Sequence, residues 1–112
     1  MNMEQVQLAG LAVSRFIIGG NPFSTVSHQG ESRDLEMRHW YTTARIKATL
    51  ADAEANGVTT FLGRAGNHVI RILCEYRDEG GRIDWIAQTT PELASIERSV
   101  SRALGMGANA IF

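Results

Sequence analysis

The stretch "ADAEANGVTTFLGRAGNHVIRILCEYRDEGGRIDWIAQT", Ala51 to Thr89, changes its apolar period three times. Its start closes a run in which Ile46, Leu50 and Ala53 recur at i, i+4 and i+7, a helical stripe that Gly57 stops. "VTTFL", Val58 to Leu62, is then rich in β-branched and aromatic residues and ends at Gly63, as a buried strand does. Val69, Ile72, Leu73 and Tyr76 restore the helical spacing up to Gly80 and Gly81, and Ile83 to Gln88 reads as a strand again. Strands separated by helices cannot be joined as hairpins, so they run parallel with helical crossovers.

The same alternation extends outward. Upstream, "RFIIGG" is a short apolar run ended by paired glycines, a first strand from Arg15 to Gly19. Downstream, "TPELASIERSVSRALG" offers Thr90 as N-cap, Pro91 in the first helical position and Glu92 in the first turn. Ile96, Val100 and Leu104 share one face of that helix. "GANAIF" begins a further strand after Gly107. Its "GMGANA" matches a dinucleotide-binding pattern in letters only, because it follows a helix instead of a strand. Gly57, Gly81 and Gly107 recur about every 25 residues, the length of one strand-plus-helix unit in an eight-unit barrel.

The expected fold is therefore α/β, in the order βαβαβαβ, with about four parallel strands and three helices. A doubly wound sheet has the same order. It would place a Gly-rich phosphate turn and a helix directly after the first strand, where this chain has "NPFSTVSHQG" with Pro22. The reading adopted is the N-terminal half of a (β/α)8 TIM barrel, residues 1–112 forming a single partial domain. Four strands do not close a barrel, so completion is expected from a C-terminal half-barrel or a second copy.

Residues 20–40 stand out as a long segment leaving the first strand. Loops at the carboxyl ends of parallel strands form the ligand face, and long ones are usually functional. Asn21, Arg64 and Gln88 fall at strand ends and are the candidate ligand-binding residues; Arg64 suits a carboxylate or phosphate through its planar fork of donors. The competing reading of Arg64 is a salt bridge to a local acid such as Glu75 or Asp78. His28, on the long loop, and His68, opening the second helix, are the candidate proton-transfer residues, set against plain solvated or capping roles. His28, Glu31, Asp34 and His39 crowd one segment at spacings that match no ligand pattern, so no metal is assigned. Cys74 is expected as a packed thiol, and the Trp40–Tyr41 pair as packing at the head of a helix.

With 11 Lys and Arg against 12 Asp and Glu, the formal charge of −1 provides no broad positive field, so nucleic acid and membrane surfaces are not expected partners. "MNMEQVQLAG" has no basic-then-apolar signal pattern, which makes a cytoplasmic location the default expectation.

Two segments carry a resemblance. "LAGLAVSRFIIGG", through Gly10, Leu11, Val13, Ser14 and Gly19, resembles the hairpin and first strand that open the aldo/keto reductases. "LADAEANGVTTF", through Ala53, Gly57, Val58 and Phe61, is similar to that family's segment entering strand two. The resemblance implies a TIM barrel, reduction or binding of a carbonyl substrate, and an NADP cofactor held by the other half of the barrel. It also implies an Asp after strand two, a Tyr proton donor a few residues on and a Lys ending strand three. In those places stand Leu62, no Tyr within "GRAGNH", and Gln88 or Thr89. The functions expected are thus an enzyme for a small anionic or carbonyl ligand, an NADPH-dependent oxidoreductase, or a non-catalytic binding barrel.

Overall fold

The computed structural model describes residues 3–90, 92 and 95–112. A hairpin opens the chain: β1 (Gln5–Leu8) pairs antiparallel with β2 (Leu11–Ser14) through Ala9 and Gly10, both at positive φ, as a two-residue type I′ turn requires. The remaining strands form one parallel sheet in the order β3 (Ile18–Gly19), β4 (Thr60–Arg64), β5 (Asp84–Gln88) and β6 (Ala110–Ile111). Helix α2 (Thr43–Ala55) precedes β4, α3 (Asn67–Asp78) joins β4 to β5, and α4 (Ile96–Gly105) precedes β6. The expected parallel α/β order is what forms.

Register explains the core. Phe61 lies beside Trp85 and Gly63 beside Ala87, so alternation turns these four toward the helices, where Ile46, Leu50, Val69, Ile72, Leu73 and Tyr76 are buried. Leu62, Arg64, Ile86 and Gln88 take the opposite face. Trp85 is fully buried and its indole N–H donates to the Gly63 carbonyl at 3.1 Å, which satisfies its one polar atom. Gly20 and Gly63 make room for the Phe61 ring: a Cβ on either would come to within 2.9 Å or 2.3 Å of it. That close approach, and not turn geometry alone, accounts for glycine at both positions.

Charged side chains lock the joints between units. Glu54 of α2 accepts from the Tyr76 hydroxyl and from the Arg82 amide, tying α2 to α3 and to the turn before β5. Burial, with Glu54 adding to it, holds the Tyr76 phenol far above its ordinary pKa, so it stays a donor. Arg77 donates to the carbonyls of Ile83 and Gly107 and to Asn109, joining the start of β5 to the approach to β6. The hairpin docks by reciprocal bonds, Ser14 N to Thr59 Oγ1 at 2.9 Å and Thr59 N to Ser14 Oγ at 3.0 Å.

Five expectations change. Residues 20–40 are not one irregular loop: Pro22–Ser24 forms a 3-10 turn and Glu31–Trp40 a helix, α1, which has no apolar stripe for periodicity to detect because none of its residues is buried. A fourth helix is therefore present where three were expected. Helix α4 begins at Ile96 with Ser95 as N-cap, its side chain accepting from Arg98 N, so Thr90 does not cap α4; Pro91 lies outside the described residues. Thr90 is instead buried, with its amide bonded to Ser99 Oγ at 2.7 Å. The buried face of α4 is Ser99 and Ala103, leaving Ile96 and Leu104 exposed. Cys74 is exposed, because the stripe of α3 runs through Val69, Ile72, Leu73 and Tyr76 and leaves position 74 on the outer side. Trp40 ends α1 in the open with the Arg45 guanidinium 3.9 Å from its ring centre, and only Tyr41 packs, edge-on to Phe23 at 4.9 Å.

Gly63→Ala is expected to lower stability by about 1–3 kcal/mol through overpacking against Phe61. Adding Phe61→Leu should recover part of the loss. Urea midpoints at unchanged slope test this, and additive effects of the two substitutions would show that they do not share the contact.

Candidate functional site

Arg64 is the last residue of β4 and Gln88 the last of β5, and they are Cα partners in the parallel register. Their side chains leave the same face of the sheet, about 4.8 Å apart at the backbone. The Ala65 amide bonds to the Gln88 carbonyl at 2.8 Å, which carries the pairing one step past the strands and fixes the start of the β4–α3 turn. Both residues are exposed, at the strand ends where ligands meet parallel α/β folds.

Beside Arg64 lies a cleft of about 550 Å³ between the Ser24–Val26 segment and the start of α3, lined in part by Arg38, Arg64, Asn67 and His68; Gln88 is not in its lining. Helix α3 starts at Asn67 after Gly66, which has no side chain to cap it, and its first turn holds no acid. That turn lines the cleft, and its uncapped amides carry partial positive charge. Arg102 of α4 donates to the Ala65 carbonyl at 3.1 Å and to Asn67 Oδ1, holding this turn against α4.

The acid that pairs with Arg64 is Glu92, not Glu75 or Asp78. Both side chains are half exposed, so the pair contributes at most about 1 kcal/mol and leaves the guanidinium available to a ligand. Glu75 is taken instead by Lys47, whose ammonium lies 2.9 Å from both Glu75 and Glu79. Hydrogen bonds to Glu79 and Glu75 raise the Lys47 pKa, and the bond to Lys47 lowers that of Glu75.

Asn21 and His28 belong to a separate cluster on the segment after β3. The Asn21 side-chain amide stands 3.4 Å from His28 Nε2, and the Asn21 carbonyl accepts from Ser24 N and Val26 N. His28 has φ 58 and Thr25 φ 63, the left-handed region that non-glycine residues seldom occupy. Ser27 N donates to Asp34 Oδ1 at 2.7 Å, which ties this bend to α1. The structure thus brings Arg64 together with Gln88 and His68, and Asn21 together with His28, but does not gather all five around one cleft. His68 and His28 are both exposed, and neither has a carboxylate bonded to its ring among the described residues. The arrangement offers donors and positive charge but no oriented base.

Arg38 was not among the residues singled out from sequence. It sits in the last turn of α1, in a stretch that reads as loop, and only the helix places it at the cleft. Neither a family model nor a curated protein nor a solved structure matches this chain. The resemblance to aldo/keto reductases accordingly rests on the residues that carry it alone. Among the described residues no helix is long and apolar enough to cross a membrane.

The Ser27 side chain and then its amide, with His28 nearby, hold the Asp34 carboxyl below its ordinary pKa. A lowered carboxylate pKa stabilises the folded bend fully above the unfolded value, and the contribution is lost as pH falls through the folded one. In an NMR titration the Asp34 carboxyl and the Ser27 amide should move together, with a midpoint below the ordinary aspartate range. A midpoint within or above that range would show that the bond does not hold the bend in solution.

Proposed function

We propose that this chain is the N-terminal half of a (β/α)8 barrel and that the cleft between the Ser24–Val26 segment and the start of α3 binds a small molecule through an anionic or carbonyl group. The observation that carries the reading is the cleft that Arg64, at the end of β4, lines together with the uncapped start of α3, with Gln88 beside Arg64 in the register. A guanidinium, a side-chain amide and helix amides together complement a carboxylate or phosphate, and the cleft volume falls in the range of small-molecule sites.

Open sheet edges support the half-barrel reading. β3 and β6 end the sheet, and Ile96, Leu104, Ile111 and Phe112 lie exposed on α4 and on and after β6. A further βα unit or a second copy pairing with β6 would cover that surface.

On chemistry the reading is binding first. Leu62, Gln88 and Thr89 stand where the aldo/keto reductase resemblance implies acid and lysine, and a phenol donor needs such a cation to tune it. His68 is the residue placed to exchange a proton with a ligand held by Arg64, while His28, paired with Asn21, serves the bend of the mouth segment. An oxidoreductase using NADPH is a second reading, favoured by the resemblance of the hairpin and strand-two segments; its cofactor site would lie in the other half of the barrel.

Calorimetric titration with acetate and inorganic phosphate tests the first reading. Arg64→Ala should weaken binding about tenfold, the effect of one lost charge-assisted contact, while unfolding in urea stays unchanged. Equal affinity in the variant would place the ligand elsewhere. Fluorescence titration with NADPH tests the second, which a flat response removes.

A further inference from the structure

Helix α1 spans Glu31–Trp40 without one buried residue, although Leu35 and Trp40 are large and apolar. A helix of this length is marginal in water by itself and is normally held by an apolar face against the body of the protein. This one is held by its ends. Gly30 precedes it at φ 102, a conformation that favours glycine, and Tyr41, just after it, packs against Phe23. Between those points the tether to the preceding bend is the Ser27 N to Asp34 Oδ1 bond. An element with so little burial sits at the low end of local stability, from which lids are drawn.

Arg38 projects from this helix to the cleft that Arg64 and His68 also line. It makes no hydrogen bond or ion pair among the described residues, and the acids nearest to it across the adjoining cleft are Glu31 and Asp34, the latter already bonded to Ser27. Two planar guanidinium groups therefore approach one cleft from two directions, one from a rigid strand end and one from a loosely held helix. Arg64 shares its charge with Glu92, whereas Arg38 brings a full positive charge.

Resting on the reading of the cleft as an anion site, we propose that α1 is a lid, that Arg38 is its ligand contact, and that the ligand is a phosphorylated small molecule. A phosphoryl group spreads close to two negative charges over three oxygens, enough for a fork from Arg64, a fork from Arg38 and the amides opening α3. A carboxylate has two oxygens and one charge, and Arg64 with the helix amides satisfies it without α1. Closure turns α1 about Gly30 and Tyr41, bringing Arg38 over the bound group and closing the cleft to water.

The test combines calorimetry with amide hydrogen exchange on the intact chain, using inorganic phosphate and acetate as probes. Phosphate is expected to bind wild type more tightly than acetate, and Arg38→Ala to weaken phosphate about tenfold while leaving acetate unchanged. Arg38→Lys should recover only part, since a point charge replaces a fork. At phosphate ten times its Kd, exchange of the Leu35–Trp40 amides should slow about tenfold in wild type. In Arg38→Ala, phosphate should leave those amides unaffected. Phosphate binding that depends on Arg64 but not on Arg38, or that leaves α1 exchange unchanged, overturns the lid and keeps the anion site. Absence of binding by either anion to wild type overturns both. Arg38 lies on an exposed helix, so its substitution leaves the core intact.

Discussion

The parallel pairing of β4 with β5 is the constraint on which the rest of this molecule depends. Five residues face five, Thr60 against Asp84 through Arg64 against Gln88. The pairing sets Phe61 and Trp85 together under the helices, and it ends with Arg64 and Gln88 adjacent at the mouth. A slip of one residue in either strand would turn its core side chains to the opposite face and carry its polar end residue inward. The core and the placement of Arg64 beside Gln88 are therefore set by one register, and residues that protect the register protect both.

Those residues act at the ends of the strands. At the amino end Arg77 holds Ile83, Gly107 and Asn109, while Glu54 holds the turn at Arg82. At the carboxyl end the Ala65 amide continues the ladder to Gln88, and Arg102 pins the same turn from α4. Charged groups serve here because an α/β turn exposes carbonyls and amides that need partners, and long side chains reach them without breaking the strand. The cleft inherits this rigidity on its β4–α3 side. Its other wall, the segment from Asn21 to Trp40, is anchored in the core by Phe23 against Phe61 and otherwise depends on short-range bonds within itself, Asn21 to His28 and Asp34 to Ser27.

This division explains what was legible in the sequence. The strands and helices from Thr43 to Gln88 announce themselves because each buries one face, and burial leaves a period in the residue types. Arg64, Gln88 and His68 could be placed from those elements, being at or just past strand ends. Helix α1 left no period because it buries nothing, and with it Arg38 was lost to view. The start of α4 was misread at Thr90 because a Thr-Pro-Glu sequence satisfies every local rule for a helix start, whereas the side chain of Ser95 caps the helix that forms. The partner of Arg64 was equally hidden, since Glu92 is close only once β4 and the segment after β5 lie side by side.

The same physics limits the chemistry that these residues can perform unaided. Proton transfer needs a base whose ring or carboxylate is oriented and whose pKa is matched to its task, which follows from burial or from a fixed partner. His68 is exposed at the first turn of α3, and His28 has a neutral amide beside it. The shifted groups, Lys47, Glu75 and Tyr76, belong to the packing of α2 against α3, and Asp34 belongs to the bend. Donors and positive charge are what the strand ends supply. Among the described residues no carboxylate is bonded to either imidazole, so the strand ends offer Arg64 and Gln88 as donors without a base oriented beside them.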